Sequence, residues 1–227
     1  MWRSILQPLK TSGTPYIMRF CVAIIAIGDI FYAEDSLKLF KDYFTYHGIE
    51  YHIITEPPLE VMERSAHPAW VKLLPHRILP GYDCILVWDL DLLPRSREVN
   101  ILEHFDVKKL CMAWDTGARL AYEQGKYIYV PSFRYNSGLM AIPKEYAPFI
   151  EGVFDKFAPG IIESYEQYYL NASIVEADIE IHELPDDLNM LCGTPHFETA
   201  RLQHYTGTPD AKLKIEGHVK KYFYHQE

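Results

Sequence analysis

Residues 82–94, YDCILVWDLDLLP, decide the fold of this chain. Their five consecutive apolar residues, 84–88, predict a buried strand, and two aspartates, Asp89 and Asp91, come at its end. Because residues i and i+2 of an extended segment project to the same side, the two carboxylates can face one point beyond the strand. The stretch therefore predicts a strand with a pair of acidic groups at its carboxyl end.

The preceding segments predict an α/β fold with a mostly parallel central sheet and helices on both faces. The apolar run 20–27, FCVAIIAI, is too short for a helix and suits a strand covered on both faces. A helical pattern follows, Gly48 is placed to end it, and residues 50–55 alternate as a strand. Sheets built in this strand-and-helix order bind ligands at the carboxyl ends of their strands. Asp89 and Asp91 fall at such an end.

Further elements are expected to complete one domain. The polar, tyrosine-rich stretch 115–134 is expected to be a long excursion near the site. A chain of 227 residues can bury a substantial single core, so we expect one domain over residues 1–227. The remaining expected strands lie at 109–114, 138–142, 180–184 and 201–205, and the remaining expected helices at 70–74, 144–157 and 163–177.

The amino-acid composition indicates which binding partners and which cellular compartment to expect. The formal net charge is −9, from 22 basic and 31 acidic residues, which disfavours a duplex nucleic acid or an anionic membrane as the main partner. The four cysteines are widely separated, so a reduced, cytoplasmic setting is expected. No apolar stretch approaches the ~20 residues needed to cross a bilayer. We therefore expect a soluble protein.

The paired aspartates indicate a divalent cation. Mg²⁺ and Mn²⁺ prefer carboxylate oxygens and often complete their coordination with substrate phosphates. The alternative is that Asp89 and Asp91 lie in a solvated loop. Their position between five apolar residues and the pair Leu92-Leu93 favours a metal, since burying a charge is costly unless it is paired or metal-bound.

The string 82–94 resembles the D-x-D segment of glycosyltransferases with the GT-A fold. Further short motifs in the right order are similar to those of the glycogenin and lipopolysaccharide-galactosyltransferase-like family, and together they cover residues 20–212. The resemblance implies a single nucleotide-sugar transferase domain. Its nucleotide-binding half would span about 20–115, and its donor-sugar and acceptor half about 116–212.

The resemblance assigns a donor site to the amino-terminal half. The family's strand-loop that holds the nucleotide base would correspond to residues 26–29 and Tyr32, and Lys72 would be the basic residue that contacts the donor. The alternatives are a glycine turn with Tyr32 in the core, and a solvated surface lysine. The donor-binding residues implied in this half are Ala26, Ile27, Gly28, Asp29, Tyr32, Lys72, Trp88 and Leu90.

Two later motifs would surround the donor sugar. Asn136, Ser137 and Gly138 resemble the family's N-S-G motif, in which small polar groups line the sugar pocket and glycine permits close backbone approach. Glu166 and Gln167 resemble the start of the family's D-Q-x-x-L-N helix, with Glu in place of the usual Asp, and would be the catalytic residues. An ordinary turn and exposed helix residues are the respective alternatives.

A closing segment would complete the metal and phosphate sites. His204, which precedes a Tyr-x-Gly sequence, would join Asp89 and Asp91 in a ligand set that suits Mn²⁺ or Mg²⁺. Gly207 belongs to the same motif and would contact the donor. Lys212 lies near the position of the family's phosphate-contacting lysine, although the Lys-Pro-Trp sequence of the family is absent.

These assignments predict a metal-dependent, hexosyltransferase-like glycosyltransferase. It would move a sugar from a nucleotide-diphosphate donor, with UDP favoured, to a hydroxyl of a carbohydrate or of a protein- or lipid-linked acceptor, and would retain the anomeric configuration. Three alternatives stay open: a D-x-D phosphatase, a nucleotidyltransferase of related fold, and a catalytically silent sugar-binding scaffold. Metal-dependent transfer or hydrolysis of a sugar nucleotide would separate the enzyme from the scaffold.

Overall fold

Two sheets organise the chain in a computed structural model that describes residues 18–64, 67–123, 134–158, 166–206 and 210–224. The strands are β1 (Phe20–Ile25), β2 (Tyr51–Ile54), β3 (Cys84–Asp89), β4 (Leu92–Pro94), β5 (Cys111–Trp114), β6 (Tyr135–Pro143), β7 (His182–Leu184), β8 (Met190–Leu191) and β9 (Leu202–His204). The α-helices are α1 (Ala33–His47), α2 (Leu59–Glu63), α3 (Pro75–Ile78), α4 (Thr116–Glu123), α5 (Ala147–Phe157), α6 (Glu166–Glu176) and α7 (Ala211–Tyr224). Short 3-10 helices span Pro68–Leu73, Leu102–His104, Lys144–Tyr146, Asp186–Leu188 and Phe197–Thr199.

The central sheet has six strands in the order β2-β1-β3-β6-β5-β7. Strands β1, β2 and β3 run parallel to one another, and β5 runs parallel to β7. Strand β6 is antiparallel to both of its neighbours, β3 and β5. All the strands except β6 therefore point the same way, which confirms the predicted mostly parallel sheet. The amino end of β6 lies at the same edge as the carboxyl ends of the others.

Helices cover both faces of this sheet, as predicted. On one face α1 and α7 pack over the even-numbered side chains of β1 and β3, where the Trp88 ring lies 5.8 Å from Phe40 and 5.3 Å from Phe44. On the other face the 3-10 helix Pro68–Leu73 packs with α5 and α6, and Trp70 lies 6.3 Å from Phe154. Burial of these rings is the main force that holds the layers together.

The local sequence explains how β1, α1 and β2 form. Strand β1 is buried along almost its whole length, as its uninterrupted apolar run predicts. Helix α1 ends at Gly48, which adopts a left-handed conformation with φ of 64° and donates its N–H to the carbonyls of Phe44 and Thr45. This turn feeds the chain directly into β2.

Several elements differ from the expectation. The predicted helix at 70–74 is the 3-10 helix Pro68–Leu73, and the excursion at 115–134 begins with α4. The predicted helix start at 163–165 lies outside the described residues. A second, three-stranded sheet, in the order β4-β9-β8, and the long helix α7 were not predicted.

Within the described ranges, every helix is too short or too polar to pass through a lipid bilayer.

Candidate metal centre and donor cavity

A cavity of about 650 Å³ opens where β1, β3 and β5 end and β6 begins. This is the edge at which the sheet order predicts a ligand. Eleven of the residues expected in a site line it: Ile27, Tyr32, Lys72, Asp89, Leu90, Asp91, Asn136, Ser137, Glu166, Gln167 and His204. The fold therefore brings together motifs that are far apart in the sequence.

Three possible metal ligands converge in this cavity. Asp89, Asp91 and His204 each offer an atom, and these atoms all lie within 4.8 Å of one another. His204 Nε2 is 3.2 Å from Asp91 Oδ1 and 3.8 Å from Asp89 Oδ2. Carboxylate oxygens and an imidazole nitrogen at such spacing are suitable ligands for a divalent cation.

The small sheet brings the histidine to the aspartates. Strand β9 runs antiparallel to β4, with His204 opposite Leu92, and the Tyr205 N–H donates to the Asp91 carbonyl at 2.9 Å. The backbone after Asp91 is thereby tied to the backbone around His204. Backbone hydrogen bonds between strands therefore help to hold the three possible ligands in position.

A hydrogen-bond relay orients the His204 ring. The Gly138 N–H donates to Asn136 Oδ1 at 2.8 Å, which identifies that atom as the carbonyl oxygen of the amide. Asn189 Nδ2 donates to the same oxygen at 2.9 Å, so Asn189 Oδ1 faces His204 Nδ1 at 2.7 Å. Nδ1 therefore carries a proton, and Nε2 is the ring atom that faces the carboxylates. Nε2 is buried and has no hydrogen-bond partner among the described residues, as expected of a metal ligand.

Lys72 supplies the positive charge beside these carboxylates. Its Nζ lies 2.7 Å from each oxygen of Asp89 and 3.5 Å from Glu166 Oε1. Burial opposes the charge on Lys72, but the carboxylates of Asp89 and Glu166 outweigh it and raise the pKa of the ammonium group. Lys72 therefore lies in the cavity beside the carboxylates and is not a solvated surface lysine, while its contact with a donor stays a prediction.

The two aspartates experience this charge differently. Burial raises the pKa of the Asp89 carboxyl group in spite of the nearby Lys72 ammonium group. Burial also acts to raise the pKa of Asp91, but His204 and Lys72 outweigh this effect and lower it. With histidine counted as neutral, the group formed by Asp89, Asp91, Glu166 and Lys72 has a formal charge of −2. A divalent cation would neutralise it, and the cluster therefore fits a bound Mn²⁺ or Mg²⁺.

Gly138 lies directly behind the metal ligands. A Cβ at this position would be 2.6 Å from His204 Cε1, 2.8 Å from Asn136 Oδ1 and 3.0 Å from Asp89 Oδ2. No side chain fits there without moving the histidine. The glycine of the N-S-G motif is thus required for close packing of the site, although Gly138 does not itself line the cavity.

The start of α6 contributes the side chains expected near the sugar. Ser137 Oγ donates to Glu166 Oε1 at 2.7 Å, and the Ser137 N–H donates to Gln167 Oε1 at 3.0 Å. Gln167 Nε2 then donates to Asp115 Oδ2 at 3.1 Å. Glu166 is 1% exposed, and its Oε2 has no hydrogen-bond partner within the part of the chain that is described. Both residues therefore face the cavity and not the solvent.

Some expected donor contacts are not found on the cavity wall. Trp88 is fully buried, packs on α1 and donates its indole N–H to the Leu92 carbonyl at 2.6 Å, which gives its side chain a packing role in place of the expected donor contact. Lys212 is exposed on α7, 3.9 Å from Glu216 Oε1, and does not line the cavity. Ala26, Gly28 and Asp29 follow β1 next to the lining residue Ile27 but do not line the cavity themselves.

Gly207 lies outside the described residues.

Sequence reasoning missed several residues of the site. Asp115 follows β5 just as Asp89 ends β3, and a carboxylate at the end of an apolar strand was the available signal. Asn189 ends the stretch 184–189, which resembles a closing segment of the family but was assigned no role in the site. Other cavity-lining residues without an assigned role are Ile25, Ile30, His67, Pro68, Ala69, Tyr168 and Thr206.

Two known structures of similar fold are glycosyltransferases. A glycosyltransferase involved in the glycosylation of the major capsid of PBCV-1 superposes with a TM-score of 0.60 and 17% sequence identity, over 88% of this chain and 98% of that chain. The apo structure of the bifunctional glycosyltransferase WbbM superposes with a TM-score of 0.53 and 11% identity, over 97% of this chain and 52% of that chain. The chain therefore has the GT-A-like glycosyltransferase fold that its sequence predicts.

No protein-family model matches the sequence, and no curated protein matches it.

Proposed function

We propose that this protein is a metal-dependent, hexosyltransferase-like glycosyltransferase. The observation that carries the proposal is the cluster of Asp89, Asp91 and His204, with the unpartnered His204 Nε2 facing two carboxylates in a cavity at the ligand-binding edge of a glycosyltransferase fold. Its substrates would be a nucleotide-diphosphate sugar and an acceptor that carries a hydroxyl group, since transfer from such a donor is the chemistry that this arrangement supports.

The sugar donor would bind in the cavity of about 650 Å³, which we call the donor cavity. Its diphosphate would lie at the cation site formed by Asp89, Asp91 and His204, which we call the metal cluster. A cation held by Asp89, Asp91 and His204 would neutralise charge that develops on the leaving nucleotide, which can supply several kcal/mol. The chain contributes the fixed ligand geometry and the Lys72 ammonium, which adds a second positive charge beside Asp89. UDP is the favoured nucleotide on the resemblance of the motifs.

Glu166 and Gln167 would act at the sugar. Gln167 is held between the Ser137 N–H and Asp115, so its amide is oriented before substrate binds. Glu166 keeps one carboxylate oxygen without a partner in the described structure, next to Lys72. We assign these two groups to the reacting face and expect retention of the anomeric configuration.

The test is isothermal titration of UDP and of GDP, with and without Mn²⁺, on the native protein and on Asp91→Asn. We expect one nucleotide to bind only with the metal and binding to be lost in the variant. Asp178→Asn is a matched control, because it removes the same charge from an exposed residue after α6 and should bind normally. Metal-independent binding, or none, would contradict the metal-diphosphate site.

A turnover assay separates the enzyme from the silent scaffold. Native protein that binds the nucleotide with the metal should also release it from the sugar donor, by transfer or by slow hydrolysis to water. Binding without any release of nucleotide would favour a sugar-nucleotide-binding scaffold of the same fold. Release of phosphate from phosphomonoesters in place of nucleotide would favour the phosphatase.

A further inference from the structure

A second cavity lies on the other side of β9 from the metal cluster. It has a volume of about 910 Å³ and is bounded by β9, the loop after β8 and helix α7. Gln203 and Tyr205 line this second cavity, whereas His204 between them lines the donor cavity. Because successive side chains of a strand point to opposite faces, this one stretch contributes side chains to two separate cavities. The proposed function assigns no role to the second one.

The wall of this second cavity is positively charged. Arg95, Lys214 and Lys221 line it against a single carboxylate, Glu198, which gives a formal local charge of +2 with histidine neutral. The chain as a whole has a net charge of −9, so this sign is opposite to that of the molecule. We call this cavity the basic cleft.

Among the described residues, the three cations of the basic cleft have no carboxylate partner. No carboxylate oxygen in these ranges forms an ion pair within 4.0 Å with Arg95, Lys214 or Lys221. Arg95 donates to the Thr199 carbonyl at 2.7 Å, and Lys214 Nζ lies 3.8 Å from the Cys192 sulfur. Like charges that line one concave surface repel one another and create a potential that an anion would relieve.

The floor of the basic cleft is rigid and polar. Gln203 Nε2 donates to the Phe197 carbonyl at 2.8 Å, and the Tyr205 hydroxyl donates to Gln203 Oε1 at 3.2 Å. His218 contacts both side chains and lies 2.9 Å from the Pro94 carbonyl through Nε2. Gln203, Tyr205 and His218 are all buried. A ligand would therefore meet a preformed floor beneath exposed cationic side chains, and a preformed floor lowers the cost of binding.

We propose that the basic cleft binds a phosphomonoester, independently of the donor cavity. The +2 local charge matches a phosphate dianion, the Arg95 guanidinium has the planar geometry that recognises phosphate oxygens, and the lysines add point charges. The volume lies within the range of about 300–1,000 Å³ typical of small-ligand sites, so the phosphate can carry an organic group such as a sugar.

Isothermal titration with glucose 6-phosphate as the probe, in EDTA so that the metal cluster is empty, tests this proposal. We expect binding to the native protein, and Lys214→Gln and Lys221→Gln should each weaken it about tenfold, which is ~1.4 kcal/mol. Lys220→Gln is the matched control, since it removes the same charge from an exposed residue of α7 that does not line the cleft. It should leave the affinity unchanged.

Three outcomes would overturn the proposal. These are no binding by the native protein, equal weakening by Lys220→Gln, and equal binding of uncharged glucose. The result is separable from the glycosyltransferase proposal, because Asp91→Asn should bind glucose 6-phosphate as the native protein does. A loss of glucose 6-phosphate binding in Asp91→Asn would place the phosphate in the donor cavity and would also contradict the proposal.

Discussion

The donor cavity and the basic cleft lie on opposite sides of β9 and are built in opposite ways. In the donor cavity the charges are largely buried and paired, and a hydrogen-bond relay from Gly138 to His204 holds their geometry. In the basic cleft the cationic groups are exposed and have no carboxylate partner in the part of the chain that the structure describes, while the uncharged floor is held by hydrogen bonds. The difference supports the proposed chemistry at fixed positions in the first cavity and the proposed attraction of an anion in the second.

The largest effect is expected from Asp89. Asp89→Asn removes one metal ligand and leaves the Lys72 ammonium without its main partner. Because metal stabilisation of the leaving group is worth several kcal/mol, we expect sugar transfer to fall about 10³-fold or more. Nucleotide release from the sugar donor measures this, and glucose 6-phosphate binding should be unaffected. A fall of less than tenfold would show that the cluster is not the reacting centre.

The relay behind His204 should affect metal binding more than folding. Asn189→Ala removes the acceptor that fixes the proton on His204 Nδ1. Groups that orient a metal ligand in this way typically contribute about 10–100-fold to metal affinity, so we expect Mn²⁺ to bind more weakly by that factor. Asn189→Asp keeps an acceptor and should recover part of the affinity. Direct titration of Mn²⁺ measures both variants, and unchanged affinity in the alanine variant would contradict the relay.

Close packing behind the donor cavity should make Gly138 intolerant of a side chain. Gly138→Ala would push on His204 and Asp89, and overpacking of this kind costs about 1–3 kcal/mol in the free energy of unfolding. Gly152→Ala is the matched control, because it lies in α5 with no atom within 4 Å of the added Cβ. It should stabilise the helix by up to ~1 kcal/mol. Urea unfolding of both variants checks this, and equal stability would show that the packing is looser than the distances indicate.

The smallest expected effect is a difference in how strongly salt weakens ligand binding at the two cavities. Exposed charges are screened by salt far more than buried ones. Raising the concentration of KCl should therefore weaken glucose 6-phosphate binding several-fold while changing Mn²⁺-dependent UDP binding less. Titrations of both ligands at low and high salt give the comparison. Equal salt dependence would remove the distinction between a buried metal cluster and an exposed basic cleft.

The central sheet and the pair of aspartates at its edge could be predicted because their signals are local. The buried strand 84–88 and the two aspartates after it are contiguous, and the N-S-G motif and the Glu166-Gln167 pair are short strings at element boundaries. Trp88 shows the limit of such reasoning, since its position beside Asp89 does not show which way its ring points. In the strand, Trp88 and Asp89 face opposite sides.

The small sheet and α7 could not be predicted for physical reasons. Strands of two or three residues, such as β8 and β4, are too short to show alternation. Helix α7 buries Ile215, His218, Val219 and Tyr222, a helical spacing, but a histidine in that row hides the apolar pattern. The basic cleft was equally hidden, because Arg95 and Lys214 are distant in sequence and only the fold brings them to one cavity.

Strand β9 also constrains how this protein can change over evolutionary time. Its segment Leu202–His204 gives the His204 side chain to the metal cluster, while Gln203 and the next residue, Tyr205, line the opposite cavity. Inserting or deleting one residue would exchange the two faces, so His204 would leave the aspartates and a neighbour would be forced among them. Loops before and after the strand can lengthen freely, but the strand itself cannot. We expect natural length variation to stop at Leu202 and to resume only after Tyr205.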